Sequence, residues 1–309
     1  MPDIRQFRDW SIAGSSFRPG LLGRGKACPK HGKMKLRMIP LGLAFLSGVA
    51  LMSCGDDEPI TMRPVLPSNG GASVRSITRL GSVESGYDWQ LSYSDGRLVQ
   101  ANGLLRDPSP TIDQSFHYTS SLTYKGSAVN MNSTNGEKIS LTLNSNGYVS
   151  QMTVNRNVYN FHYNDNGQLT QWSKLAFEET LGQVQQYTSS ATIGYNDAGA
   201  LQRIVYTGTD NRRSILTFDN ATQANVNGIL PPTISREMGC LGFEQLYYAG
   251  LLGRSPKLLV QTISYEYPDA QPAVPSTSMS FEYGYHNGNV TLCNYHTASG
   301  FVASVSYGY

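Results

Sequence analysis

The sequence predicts an all-β protein: an antiparallel meander of hairpins closing into a barrel or strongly curved sheet, with one short helical insertion. Three observations carry this. From Val74 to Tyr309, short arms alternate apolar and polar residues with the period of two that a strand requires. The arms are separated by turns rich in Asn, Asp and Gly, which tolerate positive φ. A meander of this length exposes two bare edges unless it curls or closes.

The chain divides before that domain begins. Residues 1–53 carry nine Lys/Arg and two Asp/Glu, and residues 54–309 carry fifteen and twenty, so a leader of +7 precedes a body of −5. The acidic body lacks the basic field that nucleic-acid binding needs. Residues 34–53 have the parts of an export signal: Lys35 and Arg37, then an apolar run from Ile39 to Leu51. That run is shorter than the roughly 20 apolar residues of a membrane span. It ends in Leu51, Met52, Ser53 and Cys54, which resembles the lipobox of bacterial lipoproteins and implies lipidation of Cys54. Residues 1–33, polar and basic, read as an over-called start, with Met34 as the initiator.

Residues 54–73 are rich in Pro and Gly without periodicity and read as a flexible tether. The acidic Asp56, Asp57 and Glu58 resemble the signal that sends Bacteroidota lipoproteins to the outer leaflet.

Residues 74–309 read as a single domain. In its clearest unit, Tyr159, Phe161 and Tyr163 share one face, Asn160 and His162 the other, and Asn164 to Gly167 form the turn. Weaker copies lie around Tyr93, Tyr124, Leu143, Tyr195, Phe218, Tyr265 and Tyr283, at spacings too irregular for a solenoid. Tyr163, Tyr195, Tyr265 and Tyr283 are expected to pack on one face, each worth about 1.5–3 kcal/mol when fully buried. That face is expected to point inward, because a lipid-anchored protein has no need to span.

Residues 228–260 interrupt the pattern. Pro231 and Pro232 exclude a central strand, and Met238, Leu241, Leu246 and Leu252 suggest a short helix ended by Gly253, Pro256 and Lys257. Together with the lipobox and the hairpins, the stretch Gly250, Gly253, Arg254 and Lys257 resembles a family of Bacteroidota surface lipoproteins with a porin-like β fold and no known function. The hairpins also resemble YD repeats. The family resemblance implies a barrel-like fold over residues 74–309, with residues 240–258 plugging or capping it. It brings no catalytic residue.

No catalytic, nucleotide or cofactor motif is present in the sequence, and the reading calls for no cofactor and no metal. His117, His162, His286 and His296 are scattered and read as solvated. Glu178 and Glu179 point apart on a strand, which leaves Glu266 and Glu282 as the better carboxylate pair for a hydrolase. Cys240 and Cys293 fit either a disulfide or two buried thiols. Trp89 and Trp172 are able to stack sugar rings. Trp172 lies three residues beyond Leu169, the opposite face of a regular arm, and is the first candidate for an exposed, ligand-binding aromatic.

The resulting expectation is a surface-exposed outer-membrane lipoprotein held in the membrane through Cys54. It acts as a non-enzymatic binding or adhesion module, with a glycan or host ligand as partner. The alternatives are a glycan-active hydrolase and an integral outer-membrane channel.

Overall fold

The computed structural model describes residues 68–80, 86–106, 117–180, 183–296, 300 and 302–309; Cys54 and the leader lie outside them. The described strands are β1 (Ser76–Leu80), β2 (Gly86–Ser94), β3 (Arg97–Arg106), β4 (His117–Lys125), β5 (Ala128–Ser133), β6 (Lys138–Leu143), β7 (Val149–Val154) and β8 (Asn157–Tyr163). They continue with β9 (Leu169–Thr180), β10 (Gln183–Tyr195), β11 (Leu201–Thr207), β12 (Arg213–Ala224), β13 (Leu258–Glu266), β14 (Thr277–His286), β15 (Asn289–His296) and β16 (Val302–Gly308). Each pairs antiparallel with its sequence neighbours, and β1 pairs with β16 through rows such as Ile77 with Tyr307, so the meander closes into a barrel.

Alternation sets the inside and outside. In β6, Ile139, Leu141 and Leu143 are buried while Lys138, Ser140 and Thr142 are exposed. In β5, Val129 and Met131 are buried while Asn130 and Asn132 are exposed. The apolar face therefore points inward and the wall facing out is polar, the reverse of a membrane-spanning barrel with its outward apolar band. Tyr163, Tyr195, Tyr265 and Tyr283 all pack against the interior core, as the arms predict.

Odd strands run away from one end of the barrel and even strands return to it. That end is closed by the segment from Asn225 to Lys257. It contributes Ile229, Leu230, Ile234, Met238, Leu246 and Leu251 to the core. The plug is also stitched to the barrel by backbone bonds, from Val149 N to Leu251 O (2.8 Å), Arg254 N to Gly167 O (2.8 Å) and Lys257 N to Gly199 O (3.0 Å). The resemblance to plugged barrels is thus realised in this chain. Helix α1 (Glu244–Tyr248) is shorter than the sequence suggests, and it ends at Gly250 rather than Gly253 because Gly250 already takes φ 73°. Gly253 has a different role. A Cβ there would lie 2.5 Å from Gly167 O and 2.8 Å from the Tyr163 ring, so the plug strand approaches the hairpin turn too closely for any side chain.

The N-terminal segment enters at the same end. Asn69 N and Gly71 N donate to Val226 O, and the Asn69 amide donates to Asn225 O and Ser255 Oγ.

One device recurs around the capped end. In β3, β7, β9, β11, β13 and β15 the register skips one residue (Val99, Ser150, Thr170, Gln202, Gln261 and Thr291), a β-bulge just after each turn. The carbonyl before each bulge is taken by a side chain from the following even strand. Tyr124, Tyr163, Tyr195, Tyr283 and Tyr309 donate their hydroxyls to Leu98, Val149, Leu169, Val260 and Val290. The Asn220 amide serves Leu201 in the same way, and Tyr93 reaches Val74 ahead of β1. The turn tyrosines therefore supply partners to carbonyls that the bulged ladder leaves over.

Candidate functional site at the open mouth

The bulges decide the fate of Trp172. Because Thr170 is skipped in the β8–β9 register, the residue three beyond Leu169 returns to the inward face. Trp172 is 0 % exposed, and its indole N–H donates 2.8 Å to Glu237 O of the plug. The expected exposed aromatic is thus a core residue that ties the wall to the plug. Trp89 is equally buried, and its N–H donates to Glu244 Oε2.

The carboxylate pair does not assemble. Ile263 lies opposite Met279, so Glu282 faces position 260, six residues along the strand from Glu266. At about 3.3 Å per residue that is roughly 20 Å, well beyond a hydrolytic pair. Both are exposed on the outer wall. His117, His162 and His286 are exposed, and among the described residues no group of three or more His, Cys, Asp or Glu is placed to hold a metal ion. Cys240 and Cys293 are both buried free thiols. A shallow depression lined by Asn144, Asn146, His162, Asn164 and Asp165 lies at the capped end. Its Asn144 carboxamide oxygen is already committed to the N–H groups of Asn146 and Tyr148.

The chemistry gathers instead at the opposite end. Stepping back along the inward positions from the turn tyrosines leads to a second set near the mouth: Tyr87, Tyr118, Tyr159, Lys174, Tyr187 and Tyr206. Tyr87 stacks against Trp89 and Tyr118 at 5.0 and 5.8 Å between ring centroids. Lys174 Nζ sits 5.6 Å from the Tyr159 ring centre, and the Arg236 guanidinium sits 4.3 Å from the Tyr206 ring centre. Gly103 makes room for this cluster, since a Cβ there would lie 2.7 Å from the Trp89 ring.

The electrostatics differ from those of the capped end. Burial pushes the Tyr118 and Tyr159 hydroxyls up to about 12, and the Glu137 carboxylate adds to that shift and to the rise at Tyr87. These hydroxyls remain protonated donors throughout the physiological range. Burial lowers the Lys174 pKa, opposed by Glu178. The floor is the plug, where Glu244 accepts two bonds from Arg79 at 3.0 and 2.9 Å, and Gln245 is fully buried with Oε1 unpartnered. Tyr118 Oη is buried and makes no close hydrogen bond, with the Ser133 and Gln245 side chains as its hydrogen-bonding neighbours. The mouth therefore joins aromatic rings to loosely held donors and acceptors, with an acid and an amine beside them. Such a site can bind and orient a polar ligand, and it lacks a paired nucleophile and base.

Sequence reasoning overlooked this set because the mouth tyrosines adjoin no turn motif. Their parity was available: Tyr87 and Tyr93, Tyr118 and Tyr124, and Tyr187 and Tyr195 are all even spacings, hence one face.

Two solved structures share the fold. A porin-like protein from Bacteroides uniformis ATCC 8492 superposes with a TM-score of 0.61 at 18 % identity, covering 78 % of this chain and 98 % of its own. A porin-like protein from Bacteroides vulgatus ATCC 8482 gives 0.51 at 10 % identity, covering 77 % and 99 %. No curated protein matches the chain. Residues 91–291, more than half of the sequence, match the family described as a domain of unknown function (DUF4595) with porin-like fold, and the chain belongs to that family.

Proposed function

We propose that this protein is a lipid-anchored binding module of the cell surface whose mouth takes a saccharide. The observation that carries this reading is the contrast between the two tyrosine sets. Hydroxyls at the capped end are spent on bulge carbonyls, whereas the buried Tyr118 hydroxyl at the mouth makes no close hydrogen bond and faces the Ser133 and Gln245 side chains. Tyrosine rings flanked by hydroxyl, amide, carboxylate and amine groups suit a sugar, whose ring faces stack and whose hydroxyls both donate and accept. The polar outer wall and the plugged interior favour a binding module over a channel, and the separated Glu266 and Glu282 argue against that pair in hydrolysis.

The tether entering at the capped end fits an anchor at Cys54. The 13 residues between Cys54 and Ser68 reach at most about 45 Å, and an anchor at Cys54 would attach the barrel at its capped end and leave the mouth free. The test is a glycan array and polysaccharide depletion on the native chain and on Tyr118→Phe and Lys174→Ala. Binding that both substitutions abolish, with the fold unchanged, supports the reading. Binding that survives both, or no binding to any saccharide, refutes it.

A further inference from the structure

The β9–β10 hairpin is longer than the barrel needs. The β10–β11 ladder begins only at Ser190 with Thr207, so Gln183 to Ser189 pair with β9 on one side and with no described strand on the other. The barrel closes between β1 and β16, and the hairpin overruns its neighbours on both sides; its β9 edge from Ala176 to Thr180 carries Glu178 and Glu179, which leaves β10 as the uncharged edge. It carries none of the usual protection. Gln183, Val184, Gln185, Gln186, Tyr187, Thr188 and Ser189 include no charge, proline or glycine, the register against β9 runs without a bulge, and Val184 is 59 % exposed.

We infer that this edge is a self-association surface, on which β10 of a second copy adds as an antiparallel strand about a two-fold axis at Gln186. Centred there, Val184 faces Thr188, Gln185 faces Tyr187, and Gln186 faces itself, while Ser189 stays beside the turn that Gly208 and Arg212 close. The charges on β9 also avoid one another. Glu179 lies opposite Val184 and Leu175 opposite Thr188, so in the joined sheet the row of Glu179 ends on Leu175 of the second copy. Glu178 lies opposite Gln185 and Ala176 opposite Tyr187, so the row of Glu178 ends on Ala176. No like charges meet in a row, and the exposed Val184 gains a β-branched neighbour. The two-fold axis is normal to the sheet and reverses strand direction, so the two mouths point opposite ways. Under the anchoring proposed above, such a pair joins copies held on two facing surfaces, whereas the pairing itself rests on the hairpin alone.

Gln186 provides the test, in the full chain carrying Cys28→Ser and Cys54→Ser and purified in detergent. With Gln186→Cys, mild oxidation should yield a disulfide-linked dimer, while Thr217→Cys, exposed on the outer wall, should not. The buried Cys240 and Cys293 do not compete. Gln186→Lys, which opposes two like charges, should weaken self-association about fivefold by sedimentation equilibrium. Mixing Gln186→Lys with Gln186→Glu should restore it. A chain that stays monomeric at every concentration and cross-links no more than the Thr217→Cys control overturns the inference. So does a dimer that the Gln186→Lys and Gln186→Glu mixture fails to recover.

Discussion

Tyr163→Phe and Tyr118→Phe remove the same atom from two inward-facing tyrosines, and the structure assigns them unequal costs. Tyr163 Oη donates 2.7 Å to Val149 O, the carbonyl preceding the Ser150 bulge. Losing a typical hydrogen bond costs about 1 kcal/mol, and stranding a buried carbonyl raises that to about 1–3 kcal/mol. Tyr163→Phe should therefore destabilise the barrel by about 1–2 kcal/mol, a fall in Tm of roughly 2–8 °C for a domain of this size. Tyr118 Oη is buried but makes no close hydrogen bond, with the Ser133 and Gln245 side chains beside it, so Tyr118→Phe should leave stability nearly unchanged. Urea unfolding of both variants, with the m-value checked for constancy, measures the difference directly. Tyr195→Phe and Tyr283→Phe should follow Tyr163, since they serve Leu169 and Val260 in the same way. Equal costs at the two ends, or a silent Tyr163→Phe, would refute the division of the tyrosines into structural and free sets.

Three further outcomes follow from the geometry. Glu244→Ala leaves Arg79 charged and buried beneath the mouth and frees the Trp89 N–H, so it should cost about 3–5 kcal/mol in urea unfolding, far more than Glu244→Gln. Gly253→Ala places a methyl against the backbone at Gly167 and forces an alanine to φ 87°; it should lower the unfolding midpoint by more than the ~1 kcal/mol of an ordinary Gly-to-Ala strain and loosen protection of the Val149 amide in hydrogen exchange. Arg213 holds the Asp269 carboxyl down to about 2, below its ordinary 3.8. A depressed carboxylate contributes above its unfolded value and loses the contribution as pH falls through the folded one, so the effect should fade between about pH 4 and pH 2 and be absent in Asp269→Asn. Carbon-detected NMR titration of Asp269 reads it.

The architecture was legible because it rests on parity and turns, both local. Tyr159, Phe161 and Tyr163 announce an inward face, and Asn164 to Gly167 announce the turn. What defeated the reading was a single residue per hairpin. Thr170 obeys every strand preference, yet it sits in a bulge, and that one-residue slip carries Trp172 from the outer face to the core. No composition marks the bulge, because its partner is the hydroxyl of Tyr195, 25 residues further on. The mouth set was hidden for a related reason: it becomes a cluster only when β2, β4 and β8 curve round to bring Tyr87, Tyr118 and Tyr159 to one opening. The plug was recognisable by its glycines, but Gly250 and Gly253 had their roles exchanged. One ends the helix, while the other permits contact with a turn 86 residues earlier.

The seating of the N-terminal segment on the plug has a mechanical consequence. Asn69 and Gly71 are bound to Val226, and β1 begins a few residues later at the same end. Tension between the N-terminal segment at Asn69 and a load held at the far opening runs along β1, parallel to its neighbours β2 and β16. Those ladders are then loaded in shear, with their hydrogen bonds sharing the force, and none is peeled open in turn. A pull on the C-terminus at Tyr309 starts from this same end and meets β16 in the same geometry. The barrel is thus strong along the axis on which an attachment to the surface would strain it, and weakest to forces applied across the hairpins.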